Sequence, residues 1–298
     1  MSEVFLCDVG PRDGLQNEGK ALTPEQRAEL CVRLADAGLP RVEAVSFVRD
    51  DRVPQMAGAE AVLERLAGRV GDTEISALVL NARGVERALA AGVRSVHVAV
   101  MATESFARAN VNRSRDEAAG AVFELIARAV SERAVVAGTV SVAFGCPFEG
   151  DVDPGVVDYL LAGMADAGAT ELILADTIGI AVPSQVRRGV QMALAHGRPV
   201  GVHLHDTRNT AVANTLAAVD AGATRFESSV GGAGGCPFAP GATGNLATED
   251  LVWILEREGI PTGVNFDAIV DTARWLEQQL DRSLPGALSR PGCTARAA

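Results

Sequence analysis

In Gly201-Val202-His203-Leu204-His205-Asp206, two of the chain's four histidines stand two residues apart at the end of a short apolar run. Side chains at i and i+2 of a strand project to one side, so His203 and His205 aim two imidazoles at one point. Neutral imidazole nitrogens are common ligands of divalent metals, although a His-x-His alone is as readily two polar residues on a solvated face. Arg12-Asp13 follows the first strand-like run, Glu43 and Ser46 lie on the second, and Asp176-Thr177 closes the sixth. Asp13 offers a hard oxygen, and with the histidines it suits an octahedral ion such as Mg2+ or Mn2+; ligand type alone leaves Zn2+ open. Glu43 inside an apolar strand needs a counter-charge, and Arg12 is the expected partner. Asp176 and Asp206 read equally well as turn or cap residues. His97 and His196 show no partner pattern and are expected to be structural or exposed.

The stretch Gly231-Gly232-Ala233-Gly234-Gly235-Cys236-Pro237 presents one cysteine on a backbone that glycine frees to adopt unusual conformations. Such a loop suits an acid/base or nucleophilic thiol closing over a substrate; the plain alternative is a linker with an incidental cysteine. Asn245, after Gly241-Ala242-Thr243-Gly244, is either a turn residue or a further metal ligand through its amide oxygen.

Eight strand–helix units position these groups. Strands are expected over 4–9, 41–47, 74–79, 95–101, 135–143, 171–175, 199–205 and 225–230. Helices are expected from Thr23-Pro24 to Ala37-Gly38 and over 59–67, 83–91, 115–132, 154–167, 183–195, 210–221 and 247–258. Ala-Gly endings at Ala37-Gly38, Ala91-Gly92, Ala167-Gly168 and Ala221-Gly222 repeat one helix-stop device. Eight such units in about 250 residues require a (β/α)8 TIM barrel, whose strand C-terminal ends carry the chemistry. The turn Gly10-Pro11-Arg12-Asp13-Gly14 is not the glycine fingerprint of a doubly wound sheet. Residues 1–260 are therefore read as the catalytic barrel, and 261–298 as one more helix (266–280) and a short tail packed on or beside it.

The bulk composition sets limits on partners. A net charge of -11 argues against a nucleic-acid surface, and 48% hydrophobic residues over 298 allow a large core. No run reaches the length of a membrane span. Five widely spread cysteines do not resemble a disulfide framework, and Cys7 and Cys31 read as small core residues. The N-terminus runs straight into the first strand without a recognisable leader, so a cytoplasmic location is expected.

The motifs combine into a recognisable pattern. Val9-Gly10-Pro11-Arg12-Asp13-Gly14-Leu15-Gln16-Asn17-Glu18 resembles the opening motif of the 3-hydroxy-3-methylglutaryl-CoA lyases, metal-dependent TIM barrels related to Claisen-condensing synthases. The similarity continues, in the family's order, through Ser46-Phe47-Val48, Val53-Pro54-Gln55-Met56, Gly145-Cys146-Pro147-Phe148-Glu149-Gly150 and Asp176-Thr177-Ile178-Gly179. It extends through His203-Leu204-His205-Asp206-Thr207, Ala213-Asn214-Thr215-Leu216, Gly234-Gly235-Cys236-Pro237-Phe238 and Gly244-Asn245-Leu246-Ala247-Thr248-Glu249-Asp250.

This resemblance implies that Asp13, His203, His205 and Asn245 hold the metal, that Arg12 stabilises enolate charge, and that Glu43 orients Arg12. It implies a catalytic role for Cys236 and an acid behind the ligands at Glu249. The implied reaction is cleavage of 3-hydroxy-3-methylglutaryl-CoA to acetyl-CoA and acetoacetate, with His203 as base (Asp13 its rival) and Cys236 or protonated His203 as acid. Gln16, Ser46, Thr177 and Arg208, with Arg12, are the expected substrate contacts, and a homodimer or higher homo-oligomer is the expected assembly.

Two loops at the active-site end depart from the usual pattern: Arg208-Asn209-Thr210 replaces Tyr-Gly-Gln, and Arg49-Asp50 replaces Ser-Pro. They leave the acyl branch open, with citramalyl-CoA and isohexenylglutaryl-CoA as alternatives. A condensing synthase is disfavoured by the short C-terminal region, and a non-enzymatic metal barrel by the presence of Arg12, Glu43 and Cys236 beside the ligands.

Overall fold

The structure, a computed structural model, describes residues 4–235 and 244–290. Eight parallel strands close into a barrel in sequence order: β1 (Phe5–Asp8), β2 (Arg41–Ser46), β3 (Glu74–Leu78), β4 (Ser95–Met101), β5 (Val135–Ser141), β6 (Glu171–Asp176), β7 (Val200–Leu204) and β8 (Arg225–Ser228). β8 closes on β1 with Phe5 opposite Arg225 and Asp8 opposite Ser228. The strands are buried on both faces, as a parallel sheet wrapped by helices must be, which explains their near-continuous apolar runs.

The surrounding helices are α1 (Pro24–Asp36), α2 (Ala59–Leu66), α3 (Ala82–Ala90), α4 (Glu104–Val111), α5 (Arg115–Ser131), α6 (Pro154–Asp166), α7 (Pro183–Leu194), α8 (Ala211–Ala221), α9 (Thr248–Arg257) and α10 (Phe266–Leu280). Their starts follow local chemistry. Thr23 and Gln26 form a capping box at α1, and Ser114 and Glu117 form another at α5. The sequence reading placed no helix at α4. Asn112, at φ 55°, stops this short helix two residues before the Ser114 cap starts the next, and the pair is hard to separate from a loop by pattern.

At the N-terminal end of the barrel, Arg41 pairs with Glu74 at 2.6 Å and with Glu171, while Arg225 reaches Glu171 at 3.1 Å. Both guanidinium groups stand 4.9 Å from the centre of the Phe5 ring. This end is plugged by paired charge, leaving the opposite end for chemistry.

α10 lies along α1, with Gln26 bonded to Gln279 at 2.9 Å and Arg33 stacked 4.9 Å from the Trp275 ring centre. The segment after α10 turns back over the loop that follows β8: Gly286 N–H donates to Gly231 O at 2.9 Å. Asp250 accepts from the backbone of Ala287 and Leu288 in the same segment. Gly231 has φ +70°, and a Cβ there would sit 2.4 Å from Leu284, so this close approach requires glycine. Among the described residues, no helix is long and apolar enough to cross a membrane.

Candidate active site and metal centre

The residues after β1 form a single π-turn, Gly10–Gly14, that carries Arg12 and Asp13 to the C-terminal mouth of the barrel. Asp8 anchors it by accepting from Gly10 N–H at 2.7 Å. A Cβ on Gly14 would lie 2.6 Å from Ser229 Oγ, so glycine lets this turn pack against the end of β8.

Arg12 donates through Nε to Glu43 Oε2 at 2.7 Å and through Nη1 to Asp13 Oδ1 at 2.8 Å; its Nη2 lies 2.6 Å from Glu43 Oε2. The expected Arg12–Glu43 partnership is thus present, and Glu43 is fully buried. Asp13, His203 and His205 bring candidate ligand atoms within 4.8 Å of one another. The two imidazole centres are 5.2 Å apart, and His203 Nε2 is 4.0 Å from Asp13 Oδ2.

Asn245 joins them through a backbone bridge to His205. Its Nδ2 donates to Asp13 Oδ2 at 2.8 Å and to Ala233 O at 3.0 Å. Both partners only accept, so the amide orientation is determined and Oδ1 is left buried without a partner. His205 Nδ1 is likewise buried without a partner.

These orphaned acceptors fit a divalent cation, because buried polar atoms without partners are otherwise costly. Glu227 supports that fit: its Oε2 lies 2.9 Å from His203 Nδ1, so Nδ1 carries the hydrogen and the Nε2 lone pair is free for an ion.

The electrostatics agree. Burial opposes ionisation of Asp13, but Arg12 and the two histidines overcome it and hold the carboxyl far below the ordinary range. Burial and the neighbouring His203 depress His205 to about 4, which keeps it a neutral ligand near pH 7. Burial alone would lower His203, yet the hydrogen bond to Glu227 and the charge on Asp13 raise it.

A cavity of about 360 Å3 opens at this end, with Arg12, Asp13, Gln16, Thr177, His203 and His205 on its wall. Gln16 Oε1 is buried without a partner. Thr177 also accepts from Val142 N–H at 2.8 Å, steadying a β-branched residue at φ 52°, in the left-handed region. Ser46 and Arg208 are not on the cavity wall: Ser46 is buried within β2, and Arg208 donates to the carbonyls of Ile178 and Gly179 at 3.2 and 3.0 Å.

Cys236 lies outside the described residues, as does Cys293, whereas the preceding Gly235 is on the cavity wall and accepts from Asn17 at 2.9 Å. Among the described residues, Glu249 makes no hydrogen bond to a ligand side chain. Its Oε2 accepts from Gly231 N–H at 3.0 Å, and burial raises its carboxyl to about 8. Asp176 and Asp206 act as turn and cap residues: Asp176 accepts from the backbone of Ile180 and Ala181, and Asp206 from that of Ala211. Glu227 was not singled out from the sequence, although a glutamate in a short barrel strand gives the same signal as Glu43. His196 is paired with Asp158 at 2.8 Å, away from the site.

The comparisons with known proteins agree with this geometry. The HMGL-like family model matches residues 3–276. The (R)-citramalyl-CoA lyase of Chloroflexus aurantiacus is 43% identical over 98% of this chain and 96% of its own length. The hydroxymethylglutaryl-CoA lyase of Pseudomonas mevalonii is 42% identical over 94% of this chain and 93% of its own. The solved HMG-CoA lyase of Acinetobacter baumannii, in complex with coenzyme A and 3-methylmalate, superposes with a TM-score of 0.93 at 34% identity, covering 99% of this chain and 97% of that one. A closed eight-stranded barrel with Asp13, His203 and His205 gathered at its C-terminal mouth, in a chain matched over nearly its full length, belongs to the HMGL-like family of acyl-CoA carbon–carbon lyases.

Proposed function

We propose that the protein is a Mg2+- or Mn2+-dependent lyase that cleaves the C2–C3 bond of 3-hydroxy-3-methylglutaryl-CoA, giving acetyl-CoA and acetoacetate. The observation that carries this reading is the adjacency of Arg12 and Asp13 in one turn: a fixed cation for a departing enolate stands beside a ligand of the ion. Asp13, His205 and Asn245 Oδ1, with His203, would hold the ion. When bound, it would bring the substrate hydroxyl and a neighbouring oxygen together and make the hydroxyl more acidic.

His203 is assigned the hydroxyl proton, which Nε2 can take only when its single lone pair is not on the ion; Nδ1–H is committed to Glu227, which also raises the ring's basicity. As the electrons of the C2–C3 bond move to C2, negative charge develops on the thioester oxygen. Arg12 has one hydrogen left on each terminal nitrogen for that oxygen, and Glu43 keeps the guanidinium from rotating away. Cys236, next to Gly235 on the cavity wall, is assigned delivery of a proton to C2, completing acetyl-CoA. Gln16 and Thr177 contact the acyl group; Arg208 acts through the loop 178–179 that it holds, and Ser46 from behind the wall.

A second reading, cleavage of citramalyl-CoA to acetyl-CoA and pyruvate, is favoured by the similarity to the Chloroflexus enzyme. The two substrates share the tertiary alcohol and differ by one methylene in the carboxylate arm, a difference worth about 1–3 kcal/mol in a fitted pocket. Acetyl-CoA release from each substrate, with Mg2+ or Mn2+ and after chelation, tests both. Turnover that chelation abolishes and metal restores is expected, with kcat/KM ranking the acyl arms. A folded, metal-loaded protein that releases acetyl-CoA from neither refutes both readings.

A further inference from the structure

His97 is the third residue of β4, between Val96 and Val98, and strand alternation turns its ring into the barrel. There it is buried, with Nδ1 3.5 Å from Glu43 Oε1 and 3.4 Å from Glu227 Oε1. Glu43, His97 and Glu227 come from β2, β4 and β8, alternate strands of the kind that supply one interior layer of such a barrel. The other oxygen of each glutamate is already engaged: Glu43 Oε2 with Arg12, and Glu227 Oε2 with His203. Ionised carboxylates only accept, so a hydrogen on Nδ1 of His97 stands between the two acids. Both distances are long for a hydrogen bond, and neither Glu43 Oε1 nor His97 Nε2 has a hydrogen-bond partner among the described residues, so the link is one of charge and proximity.

We infer that His97 is a positioning residue that ties the two halves of the site together. Through Glu43 it restrains the Arg12 guanidinium that meets the enolate; through Glu227 it restrains the ring of His203 that faces the ion. Without it, two like-charged carboxylates would face each other in a buried layer with no donor between them. Each would be free to turn away from the side chain it now orients. This role rests on the metal-site reading above and is independent of the acyl branch.

Mn2+ titration of the full chain by calorimetry, with no substrate present, tests it on three proteins: wild type, His97→Leu and His97→Asn. Removing a partner that orients a ligand typically weakens metal binding or activity by about 10–100-fold, and a loss in that range is expected for His97→Leu. Steady-state kinetics should show kcat falling while KM stays near the wild-type value. The asparagine amide places an N–H near the position of Nδ1, so His97→Asn should recover most of both losses. In a Glu227→Gln background, His97→Leu should weaken Mn2+ binding little further, because the two act along one path. Wild-type Mn2+ affinity in His97→Leu overturns the inference while leaving the metal site standing. Equal losses in the leucine and asparagine variants at matched thermal stability overturn it in favour of simple packing. A wild-type chain that binds no divalent cation overturns both.

Discussion

Glu249 couples the stability of this barrel to pH in an unusual direction. Its side chain is fully buried, one oxygen accepting from Gly231 N–H at 3.0 Å and the other without a partner. Burial raises its carboxyl from 4.5 to about 8, with the nearby acids Asp250 and Asp8 adding to the rise. An acid whose folded-state value lies above its unfolded value binds its proton more tightly in the native state. Its contribution to stability is therefore complete below about pH 4.5 and is lost progressively as pH rises through about 8. At about 1.4 kcal/mol per pH unit of that interval, the loss is at most about 5 kcal/mol. That is comparable with the net stability of about 5–15 kcal/mol typical of a whole domain.

Glu249→Gln tests the reasoning directly, because the amide copies the protonated acid: it can still accept from Gly231 and carries no charge. Urea denaturation of the metal-free full chain at pH 5.5 and pH 9 is the assay. Wild type should lose about 2–3 kcal/mol between the two conditions, and the variant markedly less. The variant should be the more stable by only about 1 kcal/mol at pH 5.5 and by more at pH 9. A wild-type midpoint that does not move, or a variant that falls in parallel with it, refutes the assignment of the loss to Glu249.

Three further outcomes follow from the geometry. Arg12→Gln removes the cation assigned to the enolate and should lower kcat by about 10^2–10^3-fold with little change in KM, measured by acetyl-CoA release; unchanged kcat contradicts that role. Asn245→Ala removes both the orphaned Oδ1 and the donor to Asp13 Oδ2, and should weaken Mn2+ binding by about 10–100-fold in calorimetry. Thr23→Ala breaks the capping box of α1 far from the site; it should cost about 1 kcal/mol in urea denaturation and leave kcat unchanged.

The barrel was legible because its determinants are local. Each strand is a short apolar run, and several helices announce their starts through Thr23-Pro24, Ser114 or Asp153-Pro154 and their stops through Gly38, Gly92, Gly168 and Gly222. Strand alternation was enough to turn His203 and His205 to one point, and an apolar strand around Glu43 was enough to demand Arg12. Contacts across the barrel were another matter. His97 and Glu227 are separated by 130 positions, and only closure of β8 on β1 brings both onto one layer with Glu43. Arg208 illustrates the converse: its position in an active-site loop was legible, but not that its guanidinium would be turned onto the carbonyls of Ile178 and Gly179. Sequence spacing identifies the element that carries a side chain; which of several equidistant partners it takes is decided by packing.

The charges at the mouth explain why these particular partners are kept together. Asp13 and Glu43 pair with Arg12 while Glu227 pairs with His203, so three carboxylates share one guanidinium, and Glu43 and Glu227 are almost wholly shielded from water. With the histidines neutral, the cluster carries two negative charges in excess, a costly condition in a buried site. The elevated basicity of His203 is the same excess expressed as an appetite for a proton. A divalent cation between Asp13, His203, His205 and Asn245 Oδ1 would cancel it and would leave the two remaining N–H groups of Arg12 to the proposed substrate. A purely structural ion site would need the ligands alone. The Glu43–Arg12 pair adds a fixed cation at the edge of the cavity whose spare donors no other described residue uses, and it is this addition that supports the proposed reception of an enolate over a merely metal-binding barrel.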